Sequence, residues 1–547
     1  MHLQPFGACP SPRQMAWYRR RTAFVHFGIN TFYGTEWGDG TENPARFNPK
    51  TVDCRQWARE LKAAGFDTAI LTAKHHDGFC LWPTATTDHS VKSSPYQAGQ
   101  GDVVRAFTDA CREFGLKPGI YLSPWDRHEP CWGTEAYNEF YLQQLTELLS
   151  NYGPIYECWW DGAGSETAHY DWERWVQTVR RLQPECVIFG SLGASEYVDI
   201  RWVGNEAGYA GDPCWSTVDI RSLLVENAAQ LNSGAPDGER FIPAECDTSI
   251  RPGWFYHPEQ DAQVKSPGML VQYWFASAGR NAGILLNVPP DTTGRINKAD
   301  IACLREWNRR LQALFSKDLT RGCAVTASSA TLPPEHLLVS EEDAFYIPAP
   351  QDPAPAVTFT LRRPTAIGCF VLEEAIEYGH RVRRFAVDAL VDGQWVTVAE
   401  KACVGYRRAV YFPPVTATAV CLRLTDCAAT PILRRFSLHG DVFPYLEDVA
   451  PIADPQRDLA AAPGARVLPG TDGVSVELGG IFPYNTVVFE GEGPYVLEAF
   501  NGTTYQSVAH GTADGLTTVT FPLQDASYRL RIRMDGTVGT SVHVYCR

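Results

Sequence analysis

Over roughly the first 318 positions, apolar residues follow two rhythms that take turns. Short unbroken runs at 23–29, 68–74, 117–124, 155–162, 186–193, 201–206, 241–249 and 282–290 read as strands buried on both faces. Between many of them, apolar positions recur at helical spacing. In 53–64, Cys54, Trp57, Leu61 and Ala64 share one face and the run stops at Gly65. The run 102–114 opens on Asp102, a capping residue type, and ends at Gly115. The same periodicity marks 134–151, 171–182, 267–278 and 299–315. Eight strands alternating with helices predict a (β/α)8, TIM-like barrel over 1–318. The helical signal after 201–206 is weak, so the barrel is expected to be irregular there.

Beyond Phe315 the rhythm changes to short alternating runs punctuated by Pro and Gly, at 356–361, 366–373, 384–391, 395–399, 408–412 and 419–425. Many short strands at close spacing predict a β-sandwich over 319–445, of the discoidin or jelly-roll kind. The stretch 450–470 is rich in Ala and Pro and reads as a linker. It opens a third unit, 446–547, whose strand candidates are 486–489, 495–500, 516–521 and 528–534. The expected class is therefore multidomain, α/β followed by all-β. A chain of 547 residues accommodates roughly three or four domains of ordinary size.

Charge narrows the partners. The 48 Lys and Arg against 63 Asp and Glu leave a net charge of −15, which argues against nucleic acid or an anionic membrane surface. No apolar run reaches the roughly 18 residues that a spanning helix needs. The 16 Cys are scattered without a C-x-x-C pair, and Cys54, Cys80, Cys111, Cys158, Cys186 and Cys303 fall inside apolar stretches, as buried free thiols do. That usage favours a reducing compartment. Residues 1–5 carry no charged segment leading into an apolar core, so the expectation is cytoplasmic residence. A secreted protein whose signal has been cleaved would read the same way.

The chemistry concentrates at strand ends. The run Ile155-Tyr156-Glu157-Cys158 closes on Trp159-Trp160-Asp161 and turns at Gly162-Ala163-Gly164. A carboxylate at the C-terminal tip of a barrel strand, set among indoles, suits a sugar-cleaving nucleophile: sugars stack on indole, and an anion stabilises an oxocarbenium-like transition state. An N-cap Asp is the alternative. Strand one ends in His26, strand two in Lys74-His75-His76-Asp77, and strand three carries Tyr121. Three His converging on one pocket raise the possibility of a metal centre. Recognition of hydroxyls is the favoured reading, because a sugar pocket needs directed donors and acceptors. Adjacent His75 and His76 would point to opposite faces within a regular strand, but that rule relaxes at a strand end. Glu36 and Trp37 follow strand one and would overhang the same face, as hydroxyl acceptor and stacking wall. Glu206, at the end of 201–206 and between Trp202 and Tyr209, is the candidate second carboxyl, with desolvation expected to raise its pKa. Glu166, Glu196, Glu245 and Asp247 compete for that role, and Glu245 could instead contact substrate. Arg251 and Trp254 follow strand seven as possible substrate contacts; either could equally be structural.

The set His26-Phe27-Gly28, Glu36-Trp37, Lys74-His75-His76-Asp77-Gly78-Phe79, Tyr121-Leu122-Ser123 and Trp159-Trp160-Asp161-Gly162 resembles the α-L-fucosidases of glycoside hydrolase family 29. The resemblance covers about 12–318 in the right order, and 371–382 is similar to the family's C-terminal β-sandwich. It implies a retaining double displacement without cofactor or metal. Asp161 would be the nucleophile, and His26, Glu36, Trp37, His75, His76, Tyr121 and Trp159 would line the fucose pocket. Val203-Gly204-Asn205-Glu206 and Arg251-Pro252-Gly253-Trp254-Phe255 resemble the branch acting on α-1,3 and α-1,4 linkages of Lewis-type glycans, with Glu206 as acid/base. The implied partner is a fucosylated oligosaccharide or glycoconjugate. Broader linkage specificity, transfer of fucose to an acceptor, and non-catalytic glycan binding are the alternatives.

Overall fold

A parallel ladder is stable only when both faces of the sheet are covered, and the eight predicted apolar runs are covered in this way. The structure, a computed structural model, describes residues 3–547 apart from 165–166, 191–192, 225–226, 340, 342, 450, 451, 453 and 503. Eight parallel strands close on themselves in chain order: β1 (Thr22–Val25), β2 (Thr68–Lys74), β3 (Lys117–Leu122), β4 (Glu157–Trp160), β5 (Val187–Gly190), β6 (Ile200–Trp202), β7 (Ala244–Ser249) and β8 (Gly283–Asn287). Closure is made by β1 against β8, with Thr22 opposite Leu285 and Phe24 opposite Asn287. β2 fills its predicted run, and the other seven strands are shorter than theirs, because the ends of those runs turn into loops. Residues 191–192 of the run 186–193 lie outside the described set.

The helices lie between the strands where the periodicity placed them. Three of them, α1 (Cys54–Ala63), α2 (Val103–Glu113) and α3 (Trp172–Leu182), begin on Asp53, Asp102 and Asp171, whose carboxylates accept from the backbone N–H groups of Gln56, Arg105 and Arg174. This satisfies donors that a helix start otherwise leaves open. The expected irregularity falls between β6 and β7. A single long helix is replaced there by short helices, Ile220–Leu224 and Ala228–Ser233, and a two-stranded ribbon of Thr217–Val218 with Arg240–Phe241. The buried Arg201 guanidinium gathers this excursion by donating to the carbonyls of Leu231 and Trp215, both at 2.9 Å.

The rest of the chain is antiparallel sheet. Six strands follow the barrel: β9 (Ala324–Ala327), β10 (Ala356–Glu374), β11 (Val382–Val391), β12 (Gln394–Ala402), β13 (Arg408–Cys427) and β14 (Leu433–His439). The runs 356–361 and 366–373 are two halves of the single strand β10, and 408–412 and 419–425 are two halves of β13. Each continues past its prolines, Pro364 and Pro413-Pro414, through breaks in register near Thr360–Thr365 and Ile367–Cys369. Such breaks bend a strand, and the bent halves share one apolar core, with Phe359 stacked on Phe436 at 4.7 Å. The last sheet pairs β15 (Arg466–Gly470), β16 (Gly473–Phe500), β17 (Tyr505–Met534) and β18 (Thr537–Tyr545) around Val476, Tyr484, Phe489, Leu530 and Ile532. Part of the expected linker belongs to this unit: Leu459 is buried in its core, and Asp458 accepts from Val544 N–H at 3.0 Å. All 16 cysteines are free, and no helix among the described residues is long and apolar enough to cross a membrane.

Candidate active site

Alternation along β4 separates two adjacent indoles. Trp160 points out into the helical layer against Trp172 and Trp175. Trp159 points into the barrel mouth, stacked on Phe189 with ring centres 3.9 Å apart and planes 4° from parallel, and Tyr121 stacks near it at 5.5 Å. Asp161 is the first residue past the strand. Its Oδ2 accepts from the Tyr121 hydroxyl at 3.1 Å, and its Oδ1 accepts from the Ala163 N–H at 2.9 Å. The carboxylate is therefore oriented by two donors while remaining about a quarter exposed (27%) to the cavity. Burial, then the Asp161 charge, pushes the Tyr121 phenol well up, so it serves as a donor.

The cavity measures about 300 Å³, at the small end of ligand pockets. It is walled by Phe24, Trp159, Phe189, Trp202, Trp254 and Trp37, with His26, His75, His76, Glu36, Asp161, Glu206 and Asp247 between them. Because β2 ends at Lys74, His75 and His76 lie beyond the pleat and both reach the cavity, their rings 4.1 Å apart. The amide of Asn287 donates to Ser249 Oγ and to the Trp254 carbonyl, so its Oδ1 accepts from His26 Nδ1 at 2.9 Å. His26 is left with Nε2 as an acceptor, and burial lowers its pKa to about 3. His75 is held well below the ordinary value by burial and by its two His neighbours. Ser123 Oγ donates to the Trp125 carbonyl and so accepts from His76 Nδ1 at 2.8 Å. The other nitrogen, Nε2, faces Asp161 at 3.7 Å. Burial lowers the His76 pKa, and Asp161 opposes that shift. Three neutral imidazoles aimed at one cavity form a set of acceptors and donors suited to hydroxyls. Among the described residues, no group of three His, Cys, Asp or Glu is arranged to hold a metal ion.

Two loops complete the mouth. Glu36 Oε2 accepts from the N–H groups of Trp254 and Phe255 at 2.9 and 3.3 Å, and its Oε1 meets His257 Nε2 at 2.7 Å. It therefore pins the loop after β7 to the loop after β1. Trp37, 56% exposed, stands at the rim edge-on to His76 and Trp125. Glu206 lies at the opening and accepts from the Trp254 indole N–H at 3.2 Å. Loss of surrounding water raises its pKa; the Trp254 contact opposes this, and the charges of Asp161 and Glu36 add to it. The neighbour of Glu206 is thus Trp254 rather than Tyr209, which turns away toward Tyr528.

Three of the expected site residues lie outside the cavity wall. Tyr121 stands behind Asp161, as its donor. Glu245 and Asp247 share the inner face of β7, but Glu245 sits one step of about 7 Å deeper. There it accepts from the indoles of Trp159 at 3.0 Å and Trp17 at 3.3 Å, and it supports the pocket floor rather than touching the cavity. Burial, followed by the charge of Glu157, pushes its pKa well up. Arg251 is buried and turned away, paired with Asp300 at 3.0 Å and Asp261 at 2.8 Å. Of the competing acids, Glu196 is exposed on the outer surface and Glu166 lies outside the described residues. Asp247 lines the cavity, bound by the Trp202 indole at 2.9 Å and pushed well up by burial and then by Glu206. Phe24 and Phe189 were not singled out from the sequence. Phe24 could have been, since it is two positions before His26 on the same strand face.

Comparison with known proteins gives a consistent set of likenesses. The family described as alpha-L-fucosidase matches residues 11–313. Alpha-L-fucosidase 1 of Arabidopsis thaliana is 38% identical over 458 residues, spanning 81% of this chain and 89% of its own. A solved glycoside hydrolase 29 family member from an unknown rumen bacterium aligns over 100% of both chains, at 31% identity and a TM-score of 0.74. A Ruminococcus gnavus GH29 fucosidase, solved in complex with fucose, aligns over 81% of this chain and 96% of its own, at 29% identity and a TM-score of 0.75.

Proposed function

This chain belongs to the alpha-L-fucosidase family and is a glycoside hydrolase, and on that premise we propose that it releases terminal α-1,3- or α-1,4-linked fucose from branched, Lewis-type glycans with retention of configuration. The observation that carries the proposal is the shared cavity of Asp161 and Glu206: two carboxyls in one indole-walled space, the first just past β4 and oriented by two donors, the second on the loop after β6 with a raised pKa. Asp161 attacks the anomeric carbon of fucose while Glu206 gives its proton to the departing oxygen. The C–O bond to the leaving sugar breaks as the bond to Asp161 forms. Glu206, now a carboxylate, takes a proton from water, which displaces Asp161 and releases fucose. Fucose carries a methyl group where other hexoses carry a hydroxymethyl; the Phe24, Trp159 and Phe189 surface suits that apolar edge, and His26, His75 and His76 suit the ring hydroxyls. The linkage assignment rests on the residue pattern around Glu206 and Trp254.

The test is to incubate wild type and Glu206→Ala with Lewis a or Lewis x trisaccharide, and with 4-nitrophenyl α-L-fucoside, and to measure released fucose. Rapid release from the trisaccharide, abolished in Glu206→Ala, is the expected result. Release from the simple fucoside alone would overturn the linkage assignment, and transfer of fucose to an added sugar in preference to water would make the protein a transfucosidase. Binding of the trisaccharide with no release from either compound would point to a glycan-binding role.

A further inference from the structure

Glu206 sits on a loop that runs outside the regular ladder of the barrel, from the end of β6 at Trp202 to Trp215. The loop turns on Gly204 and Gly208, with φ of 86° and 82°, on either side of Glu206. The Asn205 side chain spans the turn: its Nδ2 donates to the Tyr209 carbonyl at 3.0 Å, and its Oδ1 accepts from the Ala207 N–H at 3.1 Å. The position of the Glu206 carboxyl is therefore coupled to the position of Tyr209.

Tyr209 is held from outside the barrel. Its ring packs on Tyr528 of β17, with centres 5.9 Å apart, in a small cluster that includes Ile481 of β16. Gly502, between those strands, comes so close that a Cβ there would lie 3.0 Å from the Tyr209 ring. The neighbouring residues are tied to the same sheet, one through the barrel residue Arg280 and one directly. The Ala210 carbonyl accepts from Arg280 at 3.0 Å, and the buried guanidinium is paired at 2.5 Å with Asp525. The Asp212 carbonyl accepts from Asn501 Nδ2 at 3.2 Å. Within residues 209–212, Tyr209 and Asp212 thus rest directly on the C-terminal sheet and Ala210 rests on it through Arg280, beside two backbone bonds from the barrel unit, Ala210 N–H to the Ala276 carbonyl at 2.8 Å and Gly211 N–H to the Asn232 carbonyl at 3.4 Å. The Asp212 carboxylate is gripped separately by Arg408 at 2.6 Å and Lys401 at 2.8 Å of the middle sheet.

We infer that the C-terminal sheet is a positioning device for catalysis, with Tyr528, Asn501 and Asp525 holding the 203–212 loop so that Glu206 meets the departing glycosidic oxygen. The inference rests on the reading of Glu206 as acid/base. A proton donor works only within hydrogen-bond reach, and a displacement near 1 Å can cost on the order of 100-fold. Tyr528, Asn501 and Asp525 act through Glu206 and need not touch the sugar.

The distinguishing measurement is dependence on the leaving group. An activated aryl fucoside departs with little need of a proton, whereas a sugar leaving group needs one. In the full chain, Tyr528→Ala and Asn501→Ala are assayed for kcat/KM on the trisaccharide and on 2-chloro-4-nitrophenyl α-L-fucoside, with Glu206→Ala alongside. The expected result is a loss of about tenfold or more on the trisaccharide and of less than about threefold on the aryl fucoside, a weaker form of the Glu206→Ala pattern. Equal losses on both substrates, or no loss on either, would overturn the inference while leaving Glu206 in its role. If Glu206→Ala itself fails to discriminate between the substrates, the acid/base reading falls, and this inference with it. Where Tyr528→Ala lowers the thermal midpoint, Tyr528→Leu, which keeps apolar bulk against Tyr209, is read in its place by the same criteria.

Discussion

At the scale of single residues, the pocket works by fixing which atoms carry protons. Asn287 and Ser123 each spend their own donors elsewhere, which settles Nδ1 of His26 and of His76 as the protonated nitrogen. The raised pKa of Glu206 has a kinetic consequence. The first step needs its protonated form, so the alkaline limb of kcat/KM on the trisaccharide should fall as pH rises through that raised value. In Glu206→Ala this alkaline limb should vanish, together with a loss of roughly 100- to 10,000-fold in rate. Asp161→Asn should abolish turnover on both substrates, because it removes the nucleophile rather than the proton donor; near-normal turnover would end the assignment. Glu245 allows a subtler test. Glu245→Gln keeps one acceptor oxygen where two indoles need two, so it should cost about 1–3 kcal/mol of stability by thermal denaturation. A few-fold rise in KM should accompany it as Trp159 loosens.

At the scale of elements, the site is an arrangement of loops, and the strands only aim them. Glu36 makes this concrete, since one side chain from the loop after β1 accepts two backbone N–H groups and a His from the loop after β7. Glu36→Ala should therefore release the 254–257 segment with its Trp254. The expected outcome is a rise of about tenfold or more in KM for fucosides, with a smaller change in stability, because the affected hydrogen bonds are only partly buried and water at the pocket mouth can replace the lost acceptor. An unchanged KM would mean that Trp254 is held without Glu36.

At the scale of the whole molecule, buried carboxyls make stability depend on pH. Burial raises the pKa of Glu374 in the middle sheet and of Asp77 under the pocket, each to about 7, although Glu374 accepts from three backbone N–H groups. Between about pH 4.5 and 7 the folded protein holds protons that the unfolded chain has lost, so these groups make stability fall as pH rises through that window. Asp212, lowered overall by Arg408 and Lys401 against the opposing effect of its burial, acts in the opposite sense: its contribution is present above the ordinary carboxylate range and is lost toward strong acid. Wild type should show its highest thermal midpoint in mild acid. Glu374→Gln should flatten the decline between pH 5 and 7.5, and an unaltered slope would remove Glu374 from this account.

The barrel was legible in the chain because its signals are local. A strand buried on both faces is an unbroken apolar run, a helix against it is a 3.6-residue stripe, and Asp caps mark three helix starts. Asp161 and the His residues were legible for the same reason, since each follows a readable strand. The length of β10 and β13 was hidden, because Pro364 and Pro413-Pro414 interrupt the ladder and read as strand ends. Tertiary structure alone decided that Glu245 stands a step below the cavity, that Arg251 turns to Asp300, and that Trp254 rather than Tyr209 meets Glu206. It also decided that a sheet some 300 positions downstream grips the Glu206 loop. Each of these outcomes depends on which distant segment packs beside a residue, and side-chain contacts across hundreds of positions leave no period in the sequence that forms them.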